Sequence, residues 1–68
     1  MVNNTKVSII IINYNYGLYL EEAINSSLSQ KYENLEVIVV DDGSTDNSQE
    51  IINNYGDRIR KIFQKNSG

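Results

Sequence analysis

The sequence has no cysteine and no histidine. Disulfide frameworks, thiol catalysis and the zinc sites built from those ligands are therefore excluded together, and any metal would need oxygen ligands. Long hydrophobic runs are missing as well. The longest, Ile9 to Ile12 and Val37 to Val40, hold four residues each, against the ~20 that span a bilayer. No signal-peptide pattern opens the chain, so the expectation is a cytoplasmic segment that does not itself insert into a membrane. Basic residues are few, with six Lys and Arg against nine Asp and Glu and a net charge of -3. They cluster only at Arg58, Arg60 and Lys61, which argues against a nucleic-acid partner. At 68 residues the chain is near the lower limit for a core without disulfides or metal, so one domain or part of one is the ceiling.

What is present is organised as alternating strands and helices. Val7 to Ile12 is a β-branched run without clean alternation, which suits a parallel strand covered on both faces. Asn13 to Gly17 breaks it with turn-forming residues. From Leu18 onward, Leu20, Ala23, Ile24, Ser27 and Leu28 recur at helical spacing, with Glu21 and Glu22 placed early, where a helix dipole favours anions. Leu35 to Val40 repeats the buried-strand composition and ends at Asp41-Asp42-Gly43-Ser44. Asp46 with Gln49 three residues later reads as a helix start, Ile51, Ile52 and Tyr55 as its apolar face, and Gly56 as its C-terminal glycine. Arg58 to Gln64 alternates, with Ile59, Lys61 and Phe63 on one side and Arg60, Ile62 and Gln64 on the other, which fits an edge strand with one wetter face. The fold class expected is α/β: a three-layer, parallel β-α-β-α-β half of a Rossmann-like sheet, in strand order 3-2-1. Strand 1 then has a bare, isoleucine-rich edge, through which copies of the chain could associate.

Ligands of open parallel sheets gather at the carboxyl ends of the strands. Two loops lie there, Asn13 to Gly17 and Asp41 to Asp46. The first offers the aromatic plane of Tyr14 beside the amides of Asn13 and Asn15. In the second, Asp41 and Asp42 are adjacent carboxylates, and a carboxylate accepts the imino N–H of a uracil or thymine ring or the hydroxyls of a ribose. A plain turn does not need the like-charge repulsion of two neighbouring acids. Asp46 is accounted for by helix capping alone.

Three segments in order, Val7-Ser8-Ile9-Ile10-Ile11-Ile12-Asn13-Tyr14-Asn15, Leu28-Ser29-Gln30 and Val39-Val40-Asp41-Asp42-Gly43-Ser44-Thr45-Asp46, resemble the start of family 2 glycosyltransferases of the GT-A fold. The likeness covers nearly the whole chain; where Asn13 stands, the family usually has Pro or a small residue. The resemblance implies that residues 1–68 are the N-terminal nucleotide-binding segment of an inverting enzyme that transfers sugar from a UDP- or dTDP-type donor to an acceptor hydroxyl. In that setting Tyr14 stacks on the base, Asp42 hydrogen-bonds it, and Asp41 supports the loop or approaches the nucleoside. Lys65 to Gly68 resembles the family segment after strand 3, which brings Gly68 near the nucleotide. The nucleotide-binding set is thus Asn13, Tyr14, Asn15, Asp41, Asp42 and Gly68, with no catalytic residue among them.

The family's Asp-x-Asp motif, which holds a divalent metal (Mg or Mn) and the diphosphate, and its general base both belong further along the fold. The resemblance therefore implies that the metal serves the full-length enzyme only and that this segment alone is inactive. It also implies a role in bacterial cell-envelope polysaccharide synthesis, with any membrane association made through other parts of the parent. A calcium loop at Asp42-x-Ser44-x-Asp46 fails, because Asn47 stands where glycine should and Asn53 where the bidentate Glu should. A receiver domain carries its acids after the first strand, not the second. A dinucleotide fingerprint would need more than the one glycine between Asn13 and Gly17. The competing reading is a noncatalytic half-domain that self-associates through the open sheet edge.

Overall fold

The computed structural model describes residues 6–65. The order of elements is β1 (Val7–Asn13), α1 (Gly17–Leu28), β2 (Leu35–Asp42), α2 (Ser48–Asn54), a 3-10 turn (Gly56–Arg58) and β3 (Arg60–Gln64). The strands form one parallel sheet in the order β1-β2-β3, which is 3-2-1 read from the other edge. Its register runs from Val7 opposite Leu35 to Asn13 opposite Asp41, and from Ile38 opposite Arg60 to Asp42 opposite Gln64. No helix among the described residues is long and apolar enough to cross a membrane.

The core lies between the sheet and both helices. Leu20 and Ile24 from α1, Val37 and Val39 from β2, Ile52 from α2, and Tyr55 and Ile59 beyond it form one buried cluster. Full burial of Ile24 or Ile52 contributes about 1.5–3 kcal/mol each. The Tyr55 hydroxyl donates to Asn25 Oδ1 at 2.6 Å, with the Glu21 carbonyl 3.3 Å away, so α1 and α2 are tied side by side. Burial and the nearby Glu21 charge raise the pKa of this phenol, keeping it a donor.

Both helices therefore cover the same face of the sheet, and the described residues form two layers, where three and a doubly covered β1 were expected. The reason is topological: two right-handed crossovers stepping in the same direction lay their helices on the same side. The uncovered face carries Ile10 (60% exposed), Ile12 (75%) and Ile62 (45%). Parallel register aligns Ile12 with Val40 and Ile62 across that face.

The helix ends also depart from local expectation. Helix α1 begins at Gly17, which leaves no acid in its first turn and places Glu21 and Glu22 beyond it. Helix α2 begins at Ser48 after Asn47, with no side-chain cap bond from that residue. Asp46 Oδ1 still accepts the Ser48 N–H at 2.9 Å, but Gln49 turns away to Asp41, and no capping box forms. Gly56 adopts φ +58°, the left-handed stop expected there.

Candidate nucleoside site at the carboxyl rim

Strand β2 ends with two carboxylates, and its pleat sends successive side chains to opposite faces. Asp41 falls on the helix side and is 0% exposed. Asp42 falls on the open side, partly exposed, where Gln64 Nε2 donates to its Oδ1 at 3.2 Å. The repulsion implied by their adjacency in sequence is eased by this separation.

Burying a carboxylate is costly unless donors surround it. At Asp41 they do. Oδ1 accepts the Ser44 hydroxyl at 2.6 Å and Asn13 Nδ2 at 3.0 Å. Oδ2 accepts the Ser44 N–H at 3.0 Å and Gln49 Nε2 at 3.3 Å. Burial pushes the pKa of Asp41 up, but the Ser44 hydroxyl, the Asn13 amide, the Ser44 N–H and Gln49 together hold it below the usual carboxylate value. The group is ionised at neutral pH and its acceptor capacity is filled.

The two loops are sewn together across about thirty residues of sequence. Asn13, 4% exposed, also donates through Nδ2 to Ser44 Oγ at 3.3 Å. The Asn15 N–H donates to the same oxygen at 2.9 Å. Asn15 Oδ1 accepts the N–H groups of Thr45 at 2.7 Å and Asp46 at 3.2 Å. Asp46 Oδ2 accepts the Gly17 N–H at 3.0 Å, the first of helix α1. A Cβ at Gly17 would overlap Asn47 Oδ1 and come within 3.1 Å of Asp46 Oδ2, so glycine permits this close approach. A concavity of about 430 Å³ lies beside the seam, lined by Asn15, Tyr16, Gly17, Leu18, Tyr19, Asp46 and Asn47.

The structure brings Asn13, Tyr14, Asn15, Asp41 and Asp42 to one rim; Gly68 lies outside the described residues. Asn13 and Asp41 are turned inward, where Asn13 Nδ2 bonds Asp41 and Ser44 and the Asp41 oxygens are taken by Asn13, Ser44 and Gln49. Tyr14, Asn15 and Asp42 keep surface, with Tyr14 46% exposed. Tyr14 and Asp42 each stand one residue beyond the paired Asn13 and Asp41. Sequence reading missed Ser44 as the hub of the seam, the second bond of Asp46, and Gln49 and Gln64 as partners of the two acids. An acid followed three residues later by a hydroxyl was a usable local signal for Ser44; Gln64 is reached only through sheet register.

Among the described residues no group of three Asp, Glu, His or Cys side chains could hold a metal ion. Both oxygens of Asp41 and of Asp46 accept hydrogen bonds.

A parallel α/β half-sheet with two cross-bonded loops at its carboxyl rim defines a Rossmann-like segment. The chain belongs to glycosyl transferase family 2, whose family model matches residues 8–68. It is 51% identical over 67 residues to an uncharacterized glycosyltransferase of Nostoc sp., covering 93% of this chain and 21% of that protein. An uncharacterized glycosyltransferase of Rickettsia conorii is 49% identical over 69 residues, covering 98% of this chain and 11% of its own length. Glycosyltransferase GlyG of Streptococcus pneumoniae serotype 4 is 45% identical over 65 residues, covering 91% of this chain and 22% of that protein. The chain thus spans at most about a fifth of the length of these relatives.

Proposed function

We propose that the chain supplies the nucleoside grip of an inverting glycosyltransferase that moves sugar from a UDP- or dTDP-type donor to an acceptor hydroxyl. One observation carries this reading: Tyr14 stands exposed and Asp42 partly exposed at the same rim, on loops held together by side-chain bonds. The Tyr14 ring presents a face on which a pyrimidine stacks. Asp42, with one donor among the described residues against four at Asp41, retains acceptor capacity for the imino N–H of uracil or thymine. Cytosine has an acceptor at that ring position, so the same carboxylate disfavours it. We extend the reading to a role in bacterial cell-envelope polysaccharide synthesis.

Titration of the chain with UDP and CDP, followed by NMR or calorimetry, tests the grip. Binding is expected to be weak and to favour UDP. Tyr14→Ala is expected to weaken UDP binding about tenfold or more, the scale of one lost base-stacking contact, and Asp42→Asn to narrow the gap between UDP and CDP. Unchanged UDP affinity in both variants would overturn the assignment. The chain alone is expected to turn over no sugar nucleotide, since its described acids form no metal site, and release of UDP from a donor above background would refute this.

A second reading has its own support. Ile10 and Ile12 are 60% and 75% exposed on β1, which is an edge strand of the described sheet, so self-association through that edge is expected. Light scattering that returns a monodisperse monomer would remove it.

A further inference from the structure

We propose that Asn15 is a positioning residue for the nucleoside site, acting by fixing the loop of Asp42 against the loop of Tyr14 and not by touching the ligand itself. The inference rests on the reading above, that these two side chains hold the base. A stacking ring and a base-reading carboxylate select a pyrimidine only if their separation and tilt are set before the ligand arrives, because ordering two loops on binding weakens affinity. Tyr14 and Asp42 sit on different loops, so something must set that separation.

Asn15 is built for this task. Among the described residues it is the only one other than glycine with positive φ, at +55°. Asparagine tolerates that conformation better than most side chains. There its Oδ1 takes both the Thr45 and the Asp46 N–H, at 2.7 and 3.2 Å, while its own N–H reaches Ser44 Oγ at 2.9 Å. One residue directly after Tyr14 therefore grips three consecutive residues of the loop that follows Asp42. Ser44 passes the constraint inward. Its hydroxyl accepts from Asn15 and Asn13 and donates its single proton to Asp41 Oδ1, so the exposed clamp is anchored on the buried charge. Ser44 itself lies two residues beyond Asp42, joined through Gly43, whose φ is +74°.

Three variants of the chain separate the effects. Asn15→Gly keeps the left-handed backbone and removes the acceptor; Asn15→Asp keeps the acceptor; Tyr14→Ala reports on the base contact. UDP affinity is measured for each well below its melting temperature, with amide hydrogen exchange of Thr45 and Asp46 read in the same samples. Asn15→Gly is expected to weaken UDP binding about tenfold, the scale of two lost hydrogen bonds, and to speed exchange at both amides. Asn15→Asp is expected to recover affinity to within about threefold of the parent chain and to restore protection. If Asn15→Gly binds UDP as tightly as Asn15→Asp while Tyr14→Ala does not, the positioning role is overturned and the nucleoside reading stands. If the parent chain fails to bind UDP, or Tyr14→Ala binds equally well, the nucleoside reading falls and the positioning role with it. A fall in melting temperature for Asn15→Gly without a fall in affinity marks a merely structural side chain and also overturns the proposal.

Discussion

The two ends of strand β2 each carry a carboxylate tied to a neighbouring strand, and they are stabilised in opposite ways. At the amino end Glu36 meets Lys6 Nζ at 3.1 Å and Arg60 at 3.5 Å, cations whose side chains are 55% and 68% exposed. The Lys6 hydrogen bond is the main cause of its lowered pKa. At the carboxyl end Asp41 is sealed from solvent, has no cation among its partners in the described residues, and is kept charged there by neutral donors. Flexible charges in water hold the first end, and one fixed geometry holds the second. Preorganisation is thus concentrated at the rim where the family's ligand is expected.

The largest effect should come from Asp41→Ala, which leaves Asn13, Ser44 and Gln49 without their shared acceptor. A stability loss of about 1–3 kcal/mol is expected, or about 4–8 °C in melting temperature per kcal/mol for a domain of this size. A loss no greater than that of Glu36→Gln would break the contrast. Acid titration gives the next effect. Because the folded pKa of Asp41 is below its unfolded value of about 3.9, its contribution is fully present above about pH 4 and is lost as pH falls through the folded value. Urea midpoints should therefore be insensitive to this group from pH 7 to 5 and decline below about 4, with a shallower acid limb in Asp41→Asn. The smallest effect belongs to Glu36→Gln, detectable at low ionic strength and expected to vanish at about 1 M salt, where charges on the surface are screened within about 3 Å. Persistence of the acid limb of Asp41 at that same salt would sharpen the distinction.

The order of elements was legible because it rests on local chemistry. β-branched runs marked β1 and β2, helical spacing from Leu20 to Leu28 marked α1, and Gly56 marked a left-handed stop. Which isoleucines of β1 are covered was not legible. Ile9, Ile10, Ile11 and Ile12 are chemically identical, and only the side taken by α1 and α2 decides that Ile10 and Ile12 stay open. The site divided in the same manner. Its two loops could be found from the ends of the strands, which placed Tyr14 and Asp42 at one rim. The inward turn of Asn13, the capture of Gln49 by Asp41 and the grip of Asn15 on Thr45 and Asp46 join residues distant in sequence or compete with a plausible local pattern. The expected capping box lost Gln49 because a buried anion is a stronger acceptor than an exposed backbone amide is a partner.

The alternation of Asp41 and Asp42 across the pleat makes the pairing of β2 self-checking. A shift of that strand by a single position would carry Asp42 beneath the helices, among donors not arranged for it, and leave Asn13, Ser44 and Gln49 facing an absent acceptor. Misaligned sheets would be penalised by an uncompensated interior charge as well as by displaced hydrocarbon. The same pair of acids that marks the rim thereby guards the fold against the nearest wrong alignment.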